Sequence, residues 1–251
     1  MYTFDKLALP HPAAELYRWA AMEYSTTQRP AEGEITMDCC QCQGIEAWFD
    51  AKYVSKKVET YRKRGPQKTT RILIESLKAR DIQGMTLLDI GGGVGAILHE
   101  LIKAGVSSGA NVEASAAYVE ACRQEAVRQA HADRVLTHHG NFVDMAQDIP
   151  SSDIVTLDRV ICCYHDMAAL VGMSLAKCRR FYGLVYPRDL WWVKAGNFLY
   201  YNLRSWLRRN PFRSFIHSTQ AVETLVQTKG LERVFFRESG PWQIALYARG
   251  G

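Results

Sequence analysis

The sequence lacks any long uncharged apolar run, and it lacks a strong excess of charge of either sign. Charged residues interrupt its apolar stretches well short of the about 18 residues that a membrane-spanning helix needs. Among 251 residues, 31 Lys and Arg stand against 26 Asp and Glu, which leaves a net charge of +5. Such a balance gives no global signal for nucleic acid. We therefore expect no transmembrane segment and no nucleic-acid partner.

The chain also lacks the features of a secreted, disulfide-bonded protein. Residues 1–6 do not show the basic-then-apolar pattern of a signal peptide, and the seven cysteines are an odd number. We expect a reduced, cytoplasmic protein. The cluster Cys39, Cys40 and Cys42 lacks the paired spacing of a tetrahedral zinc site, so we expect no metal there and favour a structural or substrate-lining role.

The first quarter of the chain shows little regular patterning. We predict a short helix near residues 13–24 and a longer one over 45–61, where apolar residues recur at helical spacing. Residues 1–67 are expected to form an N-terminal helical arm and cap. Residues 68–251 are expected to form the core.

After Gly84 the pattern alternates between strands and helices, which is typical of a parallel sheet covered on both faces. A short connection joins the last two strands, and it permits only antiparallel pairing. The sequence thus predicts an α/β fold with a Rossmann-like, doubly wound, seven-stranded sheet and a C-terminal antiparallel strand pair. The predicted strands are 85–90, 110–114, 134–139, 153–160, 183–186, 233–238 and 242–248, with a helix over 167–180 between the fourth and fifth.

A glycine-rich loop follows the first predicted strand. Gly91, Gly93 and Gly95 allow backbone angles forbidden to larger residues and let a ligand approach the main chain closely. The loop alone also fits a dinucleotide, because Glu113 lies about 20 residues further on, where a ribose-binding acid belongs in either case. A nicotinamide-dependent oxidoreductase therefore stays open at this point.

Three features favour S-adenosylmethionine over a dinucleotide. Asp89, two residues before Gly91, would repel a pyrophosphate but could bind the ammonium of a methionine moiety. The closing antiparallel strand pair does not occur in the usual dinucleotide-binding fold, whose sheet is wholly parallel. Asn141 and Phe142, after the third strand, could bind the edge and the face of adenine.

These residues carry a family resemblance over about residues 68–251. Residues 87–95 (Leu-Leu-Asp-Ile-Gly-Gly-Gly-Val-Gly) resemble motif I of class I S-adenosylmethionine-dependent methyltransferases, residues 112–115 resemble motif II, and Gly-Asn-Phe at 140–142 resembles the usual Gly-Asp-Phe. More weakly, the chain is similar to magnesium-protoporphyrin and ubiquinone-pathway methyltransferases.

The resemblance implies a role for each matching residue toward the cofactor. The methionine part would be held by the loop, the ribose hydroxyls by Glu113 with Ala114 beside it, and adenine by Asn141 and Phe142. Asp158 and Arg159 would lie beside the sulfonium and the methionine carboxylate. The loop residues are Asp89, Gly91, Gly92, Gly93 and Gly95.

His165 is the candidate catalytic residue, because it follows strand four at the ligand end of the sheet. Its imidazole, with an unperturbed pKa near 6.5, could take a proton from the acceptor. The alternative is a histidine at a helix start with no chemical role. Cys162 and Cys163 are predicted to be small core residues on that strand.

Residues 188–217 interrupt the strand-helix alternation and are rich in aromatic residues and arginine. We predict a lid over the acceptor, with walls from Tyr164, Tyr186, Trp191, Trp192 and Tyr200. The alternatives are an amphipathic helix that only packs on the core, and a peripheral membrane contact through Arg204, Arg208, Arg209 and Trp206.

The expected activity is transfer of a methyl group to a small aromatic or apolar acceptor, which can carry a carboxylate, by direct in-line displacement. Besides the oxidoreductase, a non-catalytic protein of the same fold that binds S-adenosylmethionine remains an alternative.

Overall fold

The structure of the chain is a computed structural model that describes residues 40–250. The short helix predicted near residues 13–24, and Cys39, lie outside the described residues. The strands are β1 (Thr86–Ile90), β2 (Ser108–Glu113), β3 (Val135–His139), β4 (Ser152–Asp158), β5 (Cys178–Pro187), β6 (Leu231–Ser239) and β7 (Trp242–Arg249). The helices are α1 (Cys40–Trp48), α2 (Ala51–Arg64), α3 (Lys68–Lys78), α4 (Ala96–Lys103), α5 (Ala116–Arg128), α6 (Phe142–Met145), α7 (Met167–Ala176), α8 (Trp191–Asn197), α9 (Leu203–Leu207) and α10 (Thr219–Thr228).

The strands form one seven-stranded sheet in the order β3-β2-β1-β4-β5-β7-β6. Strands β1 to β5 are parallel, and β7 is antiparallel to both β5 and β6. The predicted doubly wound sheet with its C-terminal antiparallel pair is confirmed. Among the described residues, no helix combines the length and the apolar character needed to cross a membrane.

Local capping explains where the helices begin. The side chain of Ser115 accepts a hydrogen bond from the Tyr118 backbone N–H and so caps α5, as its position before the helix suggests. Asp50 caps α2 in the same way, by accepting from the Tyr53 N–H at 2.7 Å. Because of that cap, the helix predicted over 45–61 is in fact two helices that meet at Asp50.

Three predicted boundaries around β4 and β5 are wrong. Helix α7 ends at Ala176 and β5 starts at Cys178, although the sequence had predicted helix as far as residue 180. Strand β4 ends at Asp158, because Arg159 has a φ of +62°, a left-handed conformation that no strand accommodates. Cys162 and Cys163 consequently lie in a 3₁₀ turn after the strand.

The sheet separates two apolar cores. Leu88 and Ile90 of β1 pack with residues of α7 and α10 on one face, whereas Leu87 packs with residues of α3 and α4 on the other. All three side chains are at most 2% exposed. Strand β1 is therefore buried from both sides, which explains its apolar residues Leu87, Leu88 and Ile90 and fixes the position of the loop that follows it.

Helix α2 is attached to α5 by a buried carboxylate. Glu125 of α5 accepts hydrogen bonds from Arg62 of α2, at 3.0 Å, and from Arg128 of its own helix. Burial alone would raise the pKa of the Glu125 carboxyl, but the hydrogen bonds from these arginines outweigh burial and lower it to about 2. The Glu125 carboxylate thus helps to hold α2 over the ligand edge of the sheet.

We expect Glu125→Gln to lower the free energy of unfolding at pH 7 by about 1–2 kcal/mol, since hydrogen bonds to a charged group are lost while both arginines remain half-exposed. The pKa of the Glu125 carboxyl is lower in the folded protein than in the unfolded chain. The stabilisation by its ionised form is therefore present above about pH 4.5 and is lost as the pH falls toward 2. Denaturant titrations of both proteins from pH 7 to pH 3 measure the difference. Glu120→Gln, on the exposed face of the same helix, is the control; equal effects of the two changes would contradict the prediction.

Candidate cofactor and acceptor site

A cavity of about 660 Å³ lies at the carboxyl ends of β1, β2 and β4. The chain order reverses at this point, since β1 has β2 on one side and β4 on the other. Ligands of open α/β sheets bind at such a switch point. The cavity is lined by the glycine loop and by aromatic side chains from the α1–α2 junction, α2 and the lid region; we call the part with these aromatic side chains the aromatic end.

The glycine loop has the backbone that its sequence predicts. Gly91, Gly93 and Gly95 have φ angles of +65°, +57° and +78°, in the left-handed region that favours glycine. A Cβ on Gly92 would lie 2.3 Å from Oδ2 of Asp89. Gly91, Gly92 and Gly93 line the cavity, whereas Gly95 is the N-cap of α4 and does not.

Asp89, at the end of β1, is fully buried, and only one of its two carboxylate oxygens has a hydrogen-bond partner within the described chain. Its Oδ1 accepts a hydrogen bond from the Thr156 hydroxyl at 2.7 Å, but its Oδ2 has no hydrogen-bond partner within the described chain. Burial raises the pKa of this carboxyl to about 7. Because Asp89 also lines the cavity, an orphaned acceptor faces a space where a cationic ligand could supply the missing donor.

Glu113, at the end of β2, is the second buried carboxylate of the cavity. Its Oε2 accepts from the Gly93 N–H at 3.0 Å, and its Oε1 accepts from the Ser115 N–H at 3.2 Å. Burial raises the pKa of Glu113 to about 7 despite these hydrogen bonds. Ala114 lines the cavity beside it. Glu113 therefore connects the glycine loop to the start of α5.

Asn141, Phe142 and Tyr164 line the cavity near the end of β3. The Asn141 side chain caps α6 by accepting from the Val143 N–H at 3.3 Å, and its amide donates to the Tyr164 hydroxyl at 3.2 Å. Phe142 is only 4% exposed and belongs to one of the two cores. Tyr164, predicted as an acceptor wall, thus contacts the residue predicted for adenine.

Asp158 and Arg159 also line the cavity. The Arg159 guanidinium donates to Asp158 at 3.0 Å, to the Thr70 hydroxyl at 3.2 Å and to Gln67. Asp158 also accepts from Thr70 at 2.5 Å. The end of β4 is thereby tied to the start of α3, which holds the guanidinium in place at the edge of the cavity.

Besides Gly95, three predicted site residues do not line the cavity. His165 is exposed and stacks on Tyr164 at a ring distance of 5.2 Å. Tyr186 lies in the core, because β5 is buried on both faces by the strands and helices around it. Trp191 is 80% exposed at the start of α8. We therefore assign no step of the chemistry to His165, and no wall of the cavity to Tyr186 or Trp191.

The aromatic end of the cavity includes residues that the sequence did not single out. Trp192 and Tyr200, both predicted, line it together with side chains from α1, α2 and the segment after α9. Phe49 contacts Tyr53 and Phe212 at ring distances of 5.4 and 6.0 Å. The lining residues at this end that were missed as site residues are Ile45, Phe49, Tyr53, Lys57, Tyr201, Phe212 and Ser214. Cys42, from the cysteine cluster, is buried and lines the same end.

The predicted lid is helical from Trp191 to Leu207, with a π-helical turn at Phe198–Asn202 between α8 and α9. Asn197 and Asn202 both donate to the Ser214 carbonyl at 2.9 Å. Gln41 of α1 donates to the carbonyls of Cys163 and Arg213 at 2.7 and 2.8 Å. Hydrogen bonds to main-chain atoms thus connect α1, the turn after β4 and the end of the lid around the aromatic end.

Lys57 of α2 contributes an ammonium group to this cavity. Its Nζ lies 5.2 Å from the centre of the Tyr53 ring, and among residues 40–250 it has no carboxylate within ion-pair distance. Burial and the nearby positive charge of Arg159 lower the pKa of Lys57. The cavity therefore contains a half-buried cation without a counter-ion.

Comparison with known proteins identifies the family. A family model described as an O-methyltransferase domain matches residues 31–235, most of the chain. A search of curated proteins gave no significant match.

Similar solved structures have the same fold at low sequence identity. Magnesium protoporphyrin IX methyltransferase from Synechocystis PCC 6803, with bound S-adenosylhomocysteine, is 16% identical with a TM-score of 0.63 over 84% of this chain and 100% of that one. An O-methyltransferase family protein from Burkholderia thailandensis is 12% identical, with a TM-score of 0.61 over 95% and 71%. An O-methyltransferase family 2 protein from Planctomyces limnophilus, in complex with apigenin, is 15% identical, with a TM-score of 0.52 over 74% and 63%.

The family match decides between the two cofactors that the glycine loop left open, in favour of S-adenosylmethionine. The chain belongs to the O-methyltransferase domain family and is a class I, S-adenosylmethionine-dependent methyltransferase.

Proposed function

We propose that this enzyme methylates a small aromatic acceptor that carries an anionic group, a carboxylate or a phenolate. The observation that carries the proposal is the aromatic end of the cavity, where rings from the α1–α2 junction, α2 and the lid line the same space as a half-buried ammonium that has no counter-ion within residues 40–250. Aromatic walls favour a flat, apolar ligand, and an unpaired buried cation favours an anion.

The cofactor fits the opposite end of the cavity. Oδ2 of Asp89 would accept a hydrogen bond from the ammonium of the methionine part, which supplies the donor that this buried atom lacks. Gly91, Gly92 and Gly93 allow the ligand close to the main chain. Glycine is essential at position 92, because any side chain there would collide with the carboxylate of Asp89.

The remaining cofactor contacts follow the edge of the sheet. Glu113 would accept from the ribose hydroxyls while keeping the Gly93 N–H, since a carboxylate has enough lone pairs for both. Asn141 and Phe142 would contact adenine. Arg159, held by Asp158, would face the methionine carboxylate.

The size of the cavity limits the acceptor. A single drug-sized ligand fills a pocket of roughly 300–1,000 Å³. A cavity of about 660 Å³ that also holds the cofactor leaves room only for a small acceptor.

When bound, S-adenosylmethionine supplies an electrophilic methyl group on a positively charged sulfur, for direct displacement by the acceptor. The chain's own contribution is alignment and exclusion of water. Trp192, Tyr200 and Tyr201 cover the aromatic end, and Lys57 would hold the anionic group of the acceptor.

A panel of hydroxylated aromatic acids, each paired with its neutral methyl ester or amide, tests the proposal. Formation of S-adenosylhomocysteine is measured for every member, with apigenin included because the Planctomyces protein was crystallised with it. We expect turnover with acids and lower kcat/KM with their neutral partners. Cofactor binding without turnover of any member would instead support a non-catalytic protein of the same fold.

We expect Asp89→Asn to weaken binding of S-adenosylhomocysteine by at least about tenfold, because a hydrogen bond between charged groups is lost. In the unsubstituted enzyme, binding should weaken by about tenfold per pH unit below pH 7, since the carboxyl must release a proton before it can accept from the ammonium. Calorimetric titration between pH 8 and pH 5.5 measures both effects. An affinity that does not change over this range would contradict the role of Asp89.

The same substitution should raise the melting temperature of the cofactor-free enzyme at pH 8. The folded pKa of Asp89 lies above its unfolded value, so its ionisation costs folding free energy; this cost is complete above about pH 7 and disappears below about pH 4. Asp148→Asn, at an exposed position, is the control and should change neither stability nor binding. A lower melting temperature for Asp89→Asn at pH 8 would refute the assignment of an uncompensated charge.

We expect Lys57→Met to raise KM for acidic acceptors at least about tenfold and to leave KM for their neutral partners within about twofold. Methionine keeps the apolar length of the side chain and removes the charge. Steady-state kinetics with both members of each pair measure the change, and Lys56→Met, exposed on the same helix, is the control. If Lys57→Met instead weakens S-adenosylhomocysteine binding, Lys57 is a cofactor residue and its proposed role is wrong.

A further inference from the structure

The outer surface of the lid exposes several large apolar side chains. Trp191, Leu199, Trp206 and Leu207 are between 62% and 80% exposed, and Phe198 is 57% exposed. All of them belong to the helical run Trp191–Leu207. Soluble surfaces rarely gather exposed apolar side chains of this size.

The same segment is basic and contains no acid. Residues 190–217 have no Asp or Glu, but they include Lys194, Arg204, Arg208, Arg209 and Arg213. Arg208 and Arg209, directly after Leu207, are exposed and take part in no ion pair within residues 40–250. Lys194, in contrast, forms an ion pair with Asp189, with its Nζ 2.5 Å from Oδ1.

The lid therefore has two different faces. Its inner face contributes Trp192, Val193 and Tyr201 to the cavity, and Val193 is 6% exposed. Its outer face combines exposed tryptophan and leucine with unpaired arginine. Tryptophan and arginine side by side on a helix are suited to the boundary between lipid headgroups and acyl chains.

We propose that the outer face of the lid binds an anionic lipid bilayer peripherally. The positive charge of the segment favours an anionic bilayer, because its unpaired arginines are complementary to anionic lipid headgroups. The neighbouring tryptophan and leucine side chains would enter the boundary between the headgroups and the acyl chains. Attachment through the lid places the aromatic end of the cavity next to the membrane surface. The inference does not depend on which acceptor the enzyme methylates.

The test is co-sedimentation of the full chain with vesicles of phosphatidylcholine alone or of phosphatidylcholine with phosphatidylglycerol. We expect binding to the anionic vesicles, weak binding to the neutral ones, and a decrease in binding with added salt. Arg208→Glu/Arg209→Glu should lower the partition coefficient by at least about tenfold. Trp206→Ser/Leu207→Ser should also lower it, at unchanged lipid charge.

Matched substitutions elsewhere on the surface distinguish binding through the lid from binding through the overall positive charge of the chain. Lys229→Glu/Arg237→Glu makes the same change in net charge at exposed positions around β6, and Phe236→Ser removes an exposed aromatic side chain there. These controls should bind vesicles like the unsubstituted protein. Retained S-adenosylhomocysteine binding in every variant shows that each has folded.

Three results would overturn the proposal: no binding to anionic vesicles, equal losses in the lid variants and their controls, or a dimer in sedimentation velocity that Trp206→Ser/Leu207→Ser dissociates. The last result would assign the face to a second copy of the chain. Because sedimentation needs no turnover, a failure here leaves the proposed methyl transfer untouched, and a failed acceptor panel leaves this proposal untouched.

Discussion

The ligand edge of the sheet depends on one buried charge that the protein itself does not balance. Asp89 is fully buried, Thr156 satisfies one of its oxygens, and the other has no partner within the described chain. Burying a carboxylate in this way is costly, and the chain tolerates it because β1 packs into apolar cores on both of its faces. The fold thus holds an unsatisfied acceptor beside the glycine loop; with the cofactor's ammonium bound there, as we propose, stability and cofactor binding place opposite demands on the same residue.

Two different sets of elements line the parts of the cavity that we propose for the cofactor and for the acceptor. The cofactor end consists of strand ends and the glycine loop, whose positions follow from the hydrogen-bonded order of the sheet. The acceptor end consists of α1, α2 and the lid, which are joined to the core by a few side-chain hydrogen bonds, such as those of Gln41 and the ion pair between Arg62 and Glu125. The first end is therefore determined by the sheet and the second by the packing of added helices.

The same division explains what the sequence could predict. The doubly wound sheet, its closing antiparallel pair and the glycine loop follow from local patterns, and the structure has all three. The end of β4 was missed because the left-handed backbone of Arg159 leaves no signature in a residue type that rarely adopts it. Lys57 and Tyr53 were missed as site residues because their neighbours in the cavity come from the lid, well over a hundred residues away. The spacing of Tyr53 and Lys57 did carry a signal, since residues four apart share one face of a helix.

The double burial of β1 also has a consequence for how such an enzyme can change over evolutionary time. Leu87, Leu88 and Ile90 of this strand each belong to one core or the other, so a substitution at any of them disturbs the loop and the stability together. The helices around the aromatic end are not part of the sheet that positions the glycine loop. Their cavity-facing residues can therefore be exchanged without moving that loop. New acceptor preferences can therefore arise by drift in these helices while the cofactor end stays unchanged.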